Sequence, residues 1–152
     1  MAGSKVRKFN STYAEMIRKL NFQFAAKAMI TLPALVLVRH LLIITGAIPY
    51  EATWGGRLSS HEDMIQFESV SILINLFIVA IVSIKAGYLR VKVPAIVITA
   101  ILWLLVLVFA INTVGNLVSA SFWEMIIFTP FTIVSAILCL RMALEKVDEA
   151  QT

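Results

Sequence analysis

Four long apolar stretches, separated by short polar connections, dominate the chain. They run approximately over residues 25–48, 64–84, 94–114 and 122–140. Each is long enough to cross the core of a bilayer, which takes roughly 20 residues of helix. Each is also too continuously apolar for a strand of a membrane barrel, in which apolar and polar residues alternate over about ten positions. The pattern predicts an all-α integral membrane protein, with a four-helix transmembrane bundle over residues 22–141.

The composition agrees with this pattern. Apolar residues make up 60% of the chain and charged residues 14%, where soluble domains average roughly 45–50% and 25%. The mean hydropathy is +0.90. A chain this short exposes a large part of whatever it builds, and water would not tolerate so much apolar surface. The composition therefore excludes a soluble globular domain and a disordered chain.

The basic residues indicate how the bundle is oriented. Of the 13 Lys and Arg residues, all except Arg39 and Arg57 lie in the first 27 residues, in the second connection or near the C-terminus. Lys and Arg are retained on the cytoplasmic side of a membrane. Both termini are therefore predicted to be cytoplasmic. Topology also explains the net charge of +4, so nucleic-acid binding is not needed to account for it.

Two cytoplasmic segments flank the predicted bundle. Residues 1–21 are basic, and apolar residues recur at helical spacing from Tyr13 to Leu20. This predicts a short amphipathic helix on the anionic cytoplasmic leaflet. The alternative is a solvated basic tail that only fixes the topology. Residues 142–152 are predicted to form a cytoplasmic tail.

The first outer connection, over residues 49–63, is longer than the cytoplasmic turn. It contains Trp54, Gly55, Gly56 and Arg57. Tryptophan favours the headgroup level of a membrane, so we expect this loop to lie on the outer surface. We count these four residues as outer-loop members of the candidate site.

Apart from Lys27 at the start of the first span, four residues that can carry a charge stand out inside the predicted spans. Arg39 and His40 fall in the middle third of the first span, while Glu68 and Glu124 lie near the outer ends of the second and fourth. A charged side chain at the centre of a membrane helix costs roughly 2.5–3.5 kcal/mol on insertion scales, so such groups tend to face partners or water. We expect Arg39 to pair with Glu68 or Glu124. That pair either belongs to a binding site or only fixes the packing.

Uncharged polar residues share helix faces with these groups. Ser71 and Asn75 follow Glu68 at i+3 and i+7, on one face of the second helix, and Asn112 and Asn116 lie at the outer end of the third. If the faces converge, the bundle contains a polar pocket that opens toward the outside. The alternative is interhelical hydrogen bonding, commonly worth under about 1 kcal/mol for each bond.

Short matches between the two halves of the chain favour two similar helical hairpins. Residues 35–38 and 105–108 both read Leu-Val-Leu-Val, and a glutamate opens the helix that follows each outer connection. Such hairpins would be parallel repeats related by an axis along the membrane normal. Shared apolar composition is the alternative explanation.

Three segments resemble a family of small bacterial four-span membrane proteins. They are Trp-Gly-Gly-Arg-Leu at 54–58, Phe-Glu-Ser-Val-Ser at 67–71 with Asn75, and Asn-Thr-Val-Gly-Asn at 112–116 followed by Trp123-Glu124. The resemblance covers about residues 30–140. It implies a multi-pass protein of the bacterial inner (plasma) membrane and carries no activity or cofactor.

Two functions are compatible with these features. The favoured hypothesis is binding or transport of a small solute or ion by the outer polar cluster, in which His40 titrates and the glutamates bind a cation or proton. A transport pathway would then require a homo-oligomer, because four helices enclose little volume. The alternative is a non-catalytic subunit or scaffold that binds another membrane protein, and whose polar cluster only fixes helix packing. Motifs for zinc, nucleophilic or phosphate chemistry are absent from the sequence, so we predict no catalytic residues, metal site or cofactor.

Overall fold

The computed structural model describes residues 14–54, 58–118 and 122–145, with only the backbone described for Ala52, Trp123 and Glu124. It contains four long helices: α1 (Phe22–Ile44), α2 (His61–Lys85), α3 (Ala95–Leu117) and α4 (Phe122–Ala143). A single 3₁₀ turn, Tyr50–Ala52, lies in the first connection. Strands do not occur within these ranges. The predicted all-α fold class is confirmed.

All four helices are long and apolar enough to cross a membrane. The protein is therefore a multi-pass integral membrane protein. Outward-facing side chains throughout the bundle are large and apolar, such as Leu73 on α2 and Ile96 on α3, as contact with lipid tails requires. The cytoplasmic placement of the termini stays a prediction.

Local capping explains where α1 and α2 begin. The side chain of Asn21 accepts a hydrogen bond from the backbone N–H of Phe24 at 3.0 Å. Ser60 accepts one from the N–H of Asp63, also at 3.0 Å. Each bond satisfies a backbone donor that the first helical turn leaves free. Both helices consequently begin three residues earlier than the apolar pattern alone predicts, at Phe22 and His61.

The helices pack as two hairpins. Contacts are most extensive between α3 and α4 and between α1 and α2; α1 also packs on α4, while α2 and α3 touch little. Because the chain crosses four times, the start of α1 and the end of α4 lie at the same end, which we call the terminal end. The opposite end, where α1 meets α2 through residues 45–60, is the loop end. Hairpin pairing agrees with the proposed repeat, whereas similarity between the hairpins stays a prediction.

Most of the apolar core lies toward the terminal end. It is formed by side chains from all four helices, including Met29, Val82, Leu102 and Met142, none of which is exposed. A second, smaller cluster at the loop end joins Ile43 and Met64 to Leu58 of the connection. Close packing of this kind holds membrane helices together, because lipid tails are as apolar as the core itself.

Candidate functional site

A buried carboxylate forms the centre of the candidate site. Glu68 lies two turns into α2 and is 0% exposed. Its Oε2 is hydrogen-bonded to Nδ1 of His40 on α1, and its Oε1 accepts a hydrogen bond from Nε1 of Trp54 at 2.9 Å. We call His40, Glu68 and Trp54 the loop-end triad. It connects two helices and the loop that joins them through a single side chain.

The backbone of the connection directs Trp54 into this site. Trp54 adopts a φ of +55°, in the left-handed region that bulky residues rarely occupy. The residue before it, Thr53, is buried, and its hydroxyl donates to the carbonyl of Tyr50 at 2.7 Å. The Trp54 ring packs on Phe67, with the ring centroids 5.3 Å apart. Backbone strain of roughly 1–3 kcal/mol at one residue is offset here by the surrounding contacts.

Apolar packing lies beside the triad. Ile43 is one turn from His40 on α1, and Met64 is one turn from Glu68 on α2; both are buried. Leu58 joins them from the connection. His40 itself is only 4% exposed. Loss of solvent at His40 and Glu68 strengthens the hydrogen bond between them and makes an unpaired charge on either side chain costly.

Arg39 does not take part in the triad. Its guanidinium lies over the ring of Phe128 on α4, 5.2 Å from the centroid. Within the described side chains it forms no ion pair, so the expected pairing with Glu68 is wrong. Successive helical residues are rotated by roughly 100°, and when His40 faces α2 its neighbour is turned toward α4. The side chain of Glu124 lies outside the described residues, and its pairing with Arg39 stays a prediction.

The polar stripes of α2 and α3 do not meet at the triad. The Ser71 hydroxyl donates to the carbonyl of Phe67, and the Asn75 amide donates to the carbonyl of Ser71, each at 2.8 Å. Asn112 is exposed. Short polar side chains often bond to their own helix backbone in this way. A shared helix face therefore did not bring these residues together in the expected pocket.

A second polar contact, missed by the sequence reasoning, joins α3 to α4. The hydroxyls of Thr113 and Thr132 are 2.8 Å apart, and Nδ2 of Asn116 lies 3.5 Å from the Thr132 hydroxyl. Asn116 was predicted to belong to the site, but it bonds at this interface. The available signal was the pair Thr129 and Thr132, which lie one helical turn apart in an apolar span. A threonine in a span is a weaker indication of an interhelical contact than a charged residue, because its hydroxyl can bond to its own helix backbone.

Three further residues predicted for the site, Gly55, Gly56 and Arg57, lie outside the described residues. Among the residues that are described, no group of three His, Cys, Asp or Glu side chains is arranged to hold a metal ion. Cys139 is buried in the core, with its sulfur 3.9 Å from that of Met29.

The structure contains a groove of about 400 Å³ far from the triad, near the terminal end. It lies between α1 and α4, and its lining is almost entirely apolar. A small-solute pocket was expected in the other half of the bundle, where His40 and Glu68 pair with each other.

Comparison with known proteins adds no family to this description. No family model, no curated protein and no solved structure matches the chain. The resemblance to small bacterial four-span proteins therefore stays a prediction. The side chains of the triad are the basis for inferring the function.

Proposed function

We propose that this membrane protein binds a proton at the loop-end triad and transmits its binding to the 45–60 connection through Trp54. The observation that carries this proposal is the choice of partner for the buried carboxylate. Glu68 pairs with the imidazole of His40, although Arg39, the residue before His40, carries a permanent positive charge. An imidazole can gain and lose a proton, whereas the guanidinium of an arginine stays charged at every physiological pH.

The charge of the pair explains why it takes up a proton. With neutral His40 donating from Nδ1, the carboxylate gives the pair a net charge of −1. One further proton on the imidazole produces an imidazolium–carboxylate pair of net charge zero. An isolated charge inside a membrane protein is costly. Proton uptake is therefore favoured, because it converts the pair from a net charge of −1 to zero. The described loop end also carries Glu51, His61, Glu62 and Asp63, and Arg39 precedes His40 on α1.

Trp54 is the side chain that reports this change. Its indole donates to a carboxylate, and hydrogen bonds to charged groups are roughly twice as strong as neutral ones. Proton uptake redistributes the negative charge on Glu68 and weakens the Trp54 bond. The strained backbone at Trp54 then becomes easier to release. The connection is expected to change conformation as the pH falls.

The proposal places the triad in the outer half of a bacterial inner membrane. Its support is the distribution of basic residues, which favours cytoplasmic termini, and the resemblance to small bacterial four-span proteins. In that orientation the triad senses the external pH. A homo-oligomer or a partner subunit is the natural recipient of a change in the loop.

A scaffold or subunit without a ligand is the second candidate function. The observation in its favour is that both carboxylate oxygens already have protein donors. Under this alternative the triad only fixes the pairing of α1 with α2. A buried pair can serve such a role without binding anything.

Fluorescence of Trp54 separates the two functions. The chain contains three tryptophans, so Trp103→Phe combined with Trp123→Phe leaves Trp54 as the single emitter. We expect its emission to change as the pH falls. Glu68→Gln and His40→Gln should each abolish the change, since both retain hydrogen bonding but lose the titratable pair.

His61→Gln is the matched control, because it removes the other histidine, which is exposed on the first turn of α2. It should leave the response intact. Emission that is independent of pH in a folded protein, or a response that persists in Glu68→Gln, would favour the scaffold.

A further inference from the structure

The groove between α1 and α4 has a buried floor and exposed walls. Leu138 on α4, at 3% exposure, and the part-buried Ala28 on α1 form the floor. Phe24 and Val134 rise on either side, 60% and 45% exposed. The groove therefore opens sideways from the bundle, toward the space that lipid occupies.

The interior of the groove is apolar, because the polar atoms that line it are bonded elsewhere or point outward. The hydroxyl of Thr31 donates to the carbonyl of Lys27 at 3.0 Å, so it presents no free donor to an occupant. A groove with this lining does not hold ordered water, which needs two to four polar partners. Its volume, about 400 Å³, lies within the roughly 300–1,000 Å³ of typical ligand sites. In a bilayer its natural occupant is a hydrocarbon chain.

Lys27 determines the headgroup that would accompany this chain. It is the sixth residue of α1, so its Cα lies roughly 8 Å along the helix from the terminal end. A lysine at this depth extends its ammonium group to the membrane surface while its stem covers apolar surface. Lys27 is exposed, and in the described part of the chain it forms no ion pair. Its charge is thus available to a lipid phosphate.

We propose that the groove between α1 and α4 binds one acyl chain of an anionic phospholipid, whose phosphate pairs with Lys27. The site is independent of the loop-end triad, which lies at the other end of the bundle. Lipid bound here covers the seam between the two hairpins, where α1 packs on α4. Its role is to seal and stabilise that seam.

Native mass spectrometry of the full chain tests this site. Detergent-purified protein is mixed with phosphatidylglycerol or with phosphatidylcholine of identical acyl chains, and retained lipid is counted. We expect a preference of about fivefold for the anionic lipid, which corresponds to about 1 kcal/mol for one basic residue near an anionic surface. Lys27→Gln should remove the preference, while Lys92→Gln, in the 86–94 turn, should retain it.

A second pair of variants tests the groove itself. Ala28→Trp fills the floor and should reduce retention of both lipids, whereas Ala110→Trp, on the exposed face of α3, should not. Lys27→Gln serves if Ala28→Trp does not fold. Equal retention by wild type and a folded Ala28→Trp, or equal loss in Lys27→Gln and Lys92→Gln, would overturn the proposal. So would a wild-type dimer that Ala28→Trp converts to monomer, since a second copy would then cover the groove.

Discussion

The two ends of the bundle hold their buried polar groups with different chemistry. At the terminal end, Arg141 is buried and donates from Nε to the carbonyl of Leu20 at 2.6 Å, while its Nη1 lies 2.6 Å from Oε2 of Glu145. At the loop end, the buried charge is a carboxylate, and its partners are an imidazole and an indole. One end uses a cation that keeps its proton, and the other uses a pair that can gain one.

This difference assigns different roles to the two ends. Arg141 joins the segment before α1 to the end of α4, and Lys85 adds a bond from its Nζ to the carbonyl of Glu145 at 3.1 Å. An arginine stays charged at every physiological pH, so this closure is constant. Under the proposed function, the triad closes the other end in a manner that depends on protonation. The loop end is then the end suited to switching.

Removing the carboxylate should have the largest effect. Glu68→Ala leaves the buried imidazole of His40 and the part-buried indole of Trp54 without an acceptor, and breaking a buried pair costs about 3–5 kcal/mol. We expect a corresponding fall in the free energy of unfolding, measured by denaturant titration in mixed micelles. Glu68→Gln is the control and should lose clearly less. Equal stability of Glu68→Ala and wild type would show that the buried carboxylate does not stabilise the loop end.

Arg141→Met should have the next largest effect. It removes hydrogen bonds made by a charged group, each worth about 1.5–3 kcal/mol, and frees the Leu20 carbonyl. Limited proteolysis within residues 14–21 should accelerate, while the emission of Trp54 stays unchanged. Arg141→Lys, which retains the charge but not the planar fork, should be intermediate. A change at Trp54 in Arg141→Met would contradict the independence of the two ends.

Trp54→Phe should have a moderate effect. It retains an aromatic ring to pack on Phe67 but removes the indole N–H, so one oxygen of Glu68 loses its donor. The expected cost is about 1–3 kcal/mol, with faster hydrogen exchange in residues 45–54. Trp103→Phe, at a lipid-facing position on α3, is the control and should leave exchange at the loop end unaltered. Unchanged stability and unchanged hydrogen exchange in Trp54→Phe would show that the bond from Trp54 to Glu68 does not hold the loop.

Arg39→Met should have the smallest effect. The guanidinium contacts an aromatic ring, an interaction worth about 0.5–2 kcal/mol, and methionine retains most of the apolar contact. The loss of unfolding free energy should be well below that of Glu68→Ala. A loss as large as that of Glu68→Ala would show that Arg39 neutralises a buried carboxylate, for which Glu124 is the candidate.

The sequence was sufficient to predict the helices, because a long apolar run in lipid has few ways to form hydrogen bonds for all its backbone N–H and C=O groups. It also identified His40 and Glu68 as exceptional, since buried ionisable groups are costly. It did not predict that they pair with each other. Arg39 and His40 are adjacent, and the rotation of α1 decides which one faces Glu68.

Two further features depended on details that periodicity does not contain. The position of the Trp54 indole depends on a left-handed backbone in the connection, which no residue pattern specifies for a tryptophan. The polar stripe of α2 failed as a predictor because Ser71 and Asn75 bond to their own helix. Helical spacing shows which residues share a face, but it does not show what their side chains bind.

The protonation state of His40 tests the central claim most directly. The chain has two histidines, so His61→Gln leaves His40 as the only one, and ¹⁵N-labelled imidazole can be observed by solid-state NMR in bilayers. We predict that His40 gains a proton as the pH falls, and that Glu68→Gln alters this uptake. An imidazole that keeps one protonation state at every pH at which the protein stays folded would contradict proton binding at the triad.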